Sequence, residues 1–101
     1  MDTKAKILDI AMNLNRIGNW AADGYTEKRG RIDTFLRQTS DYIESIDPTI
    51  YQKPFGKTIQ IFVDEYQKLR TSLKDKNFDE LFFAEKMMTW GNILTHRAKL
   101  L

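Results

Sequence analysis

His96 is the only histidine in the chain, and its setting comes nearest to inviting reaction chemistry. An imidazole can take up and release a proton, or carry a transferred group, near neutral pH. Here it stands in His96-Arg97-Ala98-Lys99, with a lysine three residues on. Ser40, Ser45 and Ser72 are neither close to it in sequence nor set in a nucleophile elbow, and there is no cysteine. The five glycines occur singly, so no glycine-rich loop is present to cradle a phosphate.

A lysine three residues after the histidine is also found in histidine phosphotransfer domains, which are four-helix bundles. Those domains continue with glycine and hold the site mid-bundle, whereas Lys99 is followed by Leu100. Phosphotransfer at His96 is therefore a minor expectation beside that of a surface histidine near a helix C-terminus, where a positive charge is favoured. Metal chemistry is no better served. Di-iron bundles need a Glu-x-x-His pair from each of two helices, and the residue three before His96 is Ile93. A magnesium site needs converging carboxylates, but Asp9, Asp33, Asp41, Glu44, Asp64 and Glu80 fall mainly on outer helical faces. Glu65 alone lies beside an apolar stripe. The chain reads as a non-enzymatic protein without metal or cofactor. A lesser alternative is a tetrapyrrole or lipid enclosed by Phe35, Phe62, Phe83, Met87 and Trp90, although such a stripe is usually plain core.

Binding is the other kind of chemistry available. Lys28, Arg29 and Arg31 cluster around Gly30, with Arg37 two turns further on and Arg16 as a further basic residue. They predict a phosphate-contacting surface or an ion-paired one balanced by Asp23, Glu27 and Asp33. The net charge of +2 is too small to decide for nucleic acid, and no aromatic residues interleave the cluster in the sequence.

The elements that carry these residues are helices. Asp23-Gly24, Asp47-Pro48 to Lys53-Pro54, and Lys74 to Asn77 break the chain into four segments, approximately 3–23, 26–46, 54–74 and 78–99. Thr26 and Asn77 are the expected caps of the second and fourth helices, Pro54 suits the first turn of the third, and Gly24 suits a left-handed residue. One face recurs at helical spacing in each segment: Ile7, Ile10, Ala11, Leu14, Ile17, Gly18 and Ala21; Ile32, Phe35, Leu36, Thr39, Tyr42, Ile43 and Ile46; Phe55, Ile59, Phe62, Tyr66, Leu69 and Leu73; Phe83, Met87, Trp90, Leu94, Ala98 and Leu101. With 101 residues and a 42% hydrophobic composition, this is one domain with one core. The expected fold is all-α, an antiparallel (up-down-up-down) four-helix bundle. Thr39 should bond a carbonyl one turn back. Gly18 and Gly91, each near a tryptophan, suggest close backbone approach.

The fourth segment carries more apolar surface than one buried face needs, so it is either the central helix of the fold or covers a surface shared with another chain. Leu81 and Met88 flank its stripe on one side, Phe82, Ile93 and Leu100 on the other. Trp20 stands away from the first stripe. These six predict an interface, and a homodimer is the leading expectation for the partner. The longest run without charge, Met87 to His96, is far below the ~20 residues of a membrane span. With no cysteine and no signal-peptide pattern, a cytoplasmic location is expected.

Overall fold

A computed structural model describes residues 2–101. Four helices form: α1 (Thr3–Gly24), α2 (Arg29–Glu44), α3 (Gly56–Ser72) and α4 (Glu80–Ala98), with a 3-10 turn over Pro48–Gln52 between α2 and α3. The molecule is an all-helical bundle 37 Å long and 21 × 20 Å across. The element boundaries differ from the sequence expectation by up to three residues, and the caps explain why. Asp2 accepts the Ala5 N–H at 2.7 Å to open α1, and Asp79 accepts the Phe82 N–H at 2.9 Å to open α4. A carboxylate there also complements the positive helix end. Asn77 therefore lies outside α4. Thr26 does not cap α2, which starts after Lys28 with no side-chain cap. Pro54 precedes α3; the proline that opens a helix is Pro48, where Asp47 accepts the Thr49 N–H at 3.0 Å. Gly24 is the last residue of α1 in ordinary helical geometry, since no described glycine has positive φ.

The closest helix pair is α1 with α4. At Gly18 a side chain is sterically excluded: an added Cβ would run into Met88 Cγ and stand 2.9 Å from the Ala84 carbonyl oxygen. Three residues along, Gly91 is filled against by Asn15, whose Oδ1 would lie 2.7 Å from an added Cβ. Rising numbers on α1 thus meet falling numbers on α4, so the pair is antiparallel. Small buried residues recur on both helices, Ala11, Gly18 and Ala21 facing a chain of Ala84, Gly91 and Ala98, and permit this approach.

A different ladder joins α1 to α2. Lys6 Nζ donates to the Ser45 carbonyl at 2.7 Å, the Tyr42 hydroxyl to Asp9 at 3.3 Å, and the Asn13 amide to Gln38 at 2.9 Å and Thr39 at 3.3 Å. This pair is antiparallel as well. Thr39 donates to the Phe35 carbonyl at 2.7 Å, one turn back as expected. Asn13 and Thr39 are the buried polar side chains, and no buried side-chain polar atom among the described residues lacks a partner.

Helix α3 stands further from its neighbours, separated by bulky side chains. Phe62 meets Trp90 of α4 with ring centres 5.5 Å apart. Tyr66 is fully buried and donates to the Leu36 carbonyl of α2 at 2.7 Å. Its own start packs on the 3-10 turn, where Gly56 abuts the Tyr51 backbone. The two kinds of glycine give opposite expectations. Gly18→Ala should cost about 1–3 kcal/mol, the usual range for overpacking. Gly30→Ala, at an exposed helical position with nothing within 4 Å of the new Cβ, should be neutral or gain about 0.5 kcal/mol. Urea unfolding of the two variants checks the pair; equal effects would contradict this packing.

Candidate interaction surfaces

The six expected interface residues fall in separate places. Phe82 and Ile93 share one edge of the outer side of α4, because 11 residues are close to three whole turns. Leu100 lies past the end of the helix, in a turn where its N–H donates to the Arg97 carbonyl, and stands with Thr3, Pro54 and Phe55 at a shallow cavity. Phe82 is 53% and Leu100 63% exposed, Ile93 partly buried. Thr89 lies on the same edge and is exposed; Lys86 is there too, its ammonium 5.7 Å from the Phe82 ring centre. Leu81, 62% exposed, is about 100° around the helix from Phe82, on the edge that Met88 shares. Met88 is not free surface: it is partly buried against Gly18.

Trp20 corrects a second expectation. It lies not near the outer side of α4 but on the α2 side of α1, where its ring meets Phe35 edge-on at 5.0 Å. Helical periodicity showed that Trp20 points away from the first stripe; it held no information that α2 covers that side. Ile61, 46% exposed on α3, remains uncovered.

The basic cluster does not assemble into one patch either. Lys28 is ion-paired with Asp23, which holds the Asp23 carboxyl below its usual range by hydrogen bond and charge. Arg29 Nε is 3.8 Å from Asp33. Arg31 lies over Trp20, its guanidinium carbon 6.0 Å from the ring centre. Arg37 is exposed about a third of a turn around α2 from Arg31. His96 is exposed in the last turn of α4, and among the described residues no three His, Asp or Glu side chains converge as metal ligands. Of the aromatic group weighed as a ligand enclosure, Phe62, Phe83 and Met87 are fully buried core, while Phe35 sits on the α1–α2 seam. No described helix is long and apolar enough to cross a membrane.

One polar network was not legible in sequence. Arg70 donates to Ser40 Oγ at 2.6 Å, Ser40 lies 3.3 Å from the Tyr66 hydroxyl, and Tyr66 donates to the Leu36 carbonyl. It ties α3 to α2 across their wide gap. No family model, curated protein or solved structure matches the chain.

Burial pushes the Tyr66 hydroxyl above its ordinary value of 10.0, opposed by the Ser40 hydrogen bond and the Arg70 charge. Tyr25 shifts upward too, first by burial and then by Asp33. The folded state thus favours the neutral phenols, whereas unfolded tyrosines ionise near pH ~10. Their contribution is complete below that pH and lost as pH rises through it toward the folded values. Stability measured by urea titration should fall above pH ~10. Tyr66→Phe should lose about 1 kcal/mol at neutral pH and show a shallower alkaline fall; an unchanged alkaline slope would contradict the assignment.

Proposed function

We propose that the chain works by binding protein, and that its partner across α4 is a second copy of itself. The observation that supports this reading is the line of Phe82, Thr89 and Ile93 along one outer edge of α4, with Leu100 exposed just past the helix end. From Phe82 to Ile93 it extends about 16 Å, the rise of eleven helical residues. A solvent-exposed phenylalanine and a half-buried isoleucine on one edge, with an exposed leucine just beyond the helix end, make an apolar area of the kind that interfaces cover. The line is also self-complementary. Two copies laid antiparallel bring Phe82 of each over Ile93 of the other and Lys86 beside Thr89, an isologous contact about a two-fold axis.

Sedimentation equilibrium of the intact chain should give twice its 11.9 kDa mass. The double variant Phe82→Glu, Ile93→Glu should keep its helical circular dichroism and sediment as a monomer. A wild-type chain that stays monomeric across the concentration range, or a double variant that remains dimeric, would overturn self-association through this edge.

A further inference from the structure

A second surface lies on the α1–α2 seam. Four side chains form a line across it, two from each helix and each pair four residues apart. Arg16 covers Phe35, with its guanidinium carbon 5.7 Å from the ring centre. Phe35 meets Trp20 at 5.0 Å and 89°. Arg31 then lies over Trp20 at 6.0 Å. Both rings are half-buried and both guanidinium groups are exposed. The order is cation, ring, ring, cation, drawn from residues that sequence separation hides.

The two arginines differ from their basic neighbours. Lys28 and Arg29 are ion-paired, whereas neither Arg16 nor Arg31 has a carboxylate partner among the described residues. A guanidinium held over a ring at cation–π distance is drawn toward that ring, and its N–H groups stay available to a ligand. Taking up a carboxylate in a fork then costs little further ordering. Arginine and tryptophan are also the residue types that dominate protein-binding energetics when they sit together in a partly desolvated patch.

We propose that this face docks an acidic segment of a partner protein. Carboxylates of that segment take the free N–H groups of Arg16 and Arg31, and an apolar side chain between them covers the Trp20–Phe35 pair. The geometry favours protein over single-stranded nucleic acid. Guanidinium groups already lie over the two rings, which leaves bases no open stacking platform. Nor does a basic track lead away for a phosphate backbone: Lys28 is neutralised by Asp23 beyond one end, and Asn13, Gln38 and then Asp9 follow beyond the other. The face lies on the α2 side of α1, away from the outer edge of α4, and the proposal does not depend on self-association.

The test is fluorescence anisotropy at low ionic strength with two fluorescein-labelled probes. One is a short helix-forming peptide with glutamates four residues apart on either side of a leucine, and the other is oligothymidylate of matched charge. The protein variants are Arg16→Gln, Arg31→Gln and, with the same change in net charge, Arg37→Gln, Arg97→Gln. The expected result is saturable peptide binding, weakened at least about tenfold in the first variant and little changed in the second. Circular dichroism shows that both retain the fold, as substitutions at exposed positions should. Absence of saturable peptide binding, or equal weakening in both variants, would overturn the proposal. Tighter binding of oligothymidylate that is lost in the first variant would assign the face to nucleic acid instead and overturn it as well.

Discussion

The backbones of α1 and α4 touch at Gly18, and the rest of the bundle is arranged around that contact. A Cβ there would run into the Met88 side chain and stand 2.9 Å from the Ala84 carbonyl oxygen, so both Met88 and the α4 backbone would have to give way. Close approach lets Ile10, Leu14 and Ile17 of α1 and Phe83, Met87 and Leu94 of α4 bury together as one continuous core. It also makes α1 the central helix, with α4 on one side and the hydrogen-bonded ladder to α2 on the other. Helix α3 is then accommodated by large rings, Phe62 and Tyr66, rather than by backbone contact.

This arrangement bears on where binding surfaces can lie. Since α4 approaches α1 closely and meets α3 across the larger Phe62–Trp90 spacing, Phe82 and Thr89 on its outer side are left exposed. The proposed self-association uses that side. The α1–α2 seam has a different character. It is closed by polar groups over its first half and by two rings meeting edge-on over its second, with charged groups laid over the rings. An apolar line and a cation-bracketed aromatic pair on separate faces suit two kinds of protein partner, one self-complementary and one acidic.

Much of the fold was legible in the sequence because a helix imposes its period on whatever it buries. Every member of the first stripe is buried and so are most of the others, while Phe35, Tyr42, Ile43, Leu73 and Trp90 pack half-buried at the edge of the core and Leu101, past the end of α4, is exposed. Gly18 and Thr39 behave as their types and positions imply. What the sequence could not show is which helix stands beside which face. Trp20 was unassignable until α2 was seen to cover it, and the link between Arg16 and Phe35 spans nineteen positions that no local pattern connects. Helix ends were blurred for a local reason: several residues near each break can cap, and only the backbone path selects Asp79 over Asn77. The Arg70–Ser40–Tyr66 network was hidden in the same way, since each member alone is an ordinary helical residue.

Native-state hydrogen exchange, followed amide by amide, tests most directly whether the α1–α4 contact is the spine of the molecule. The account predicts that central amides of α1 and α4 exchange only with global unfolding, while those of α3 open earlier and at lower free energy. Protection of α3 equal to that of α1, or early exchange around Gly18 and Gly91, would contradict it.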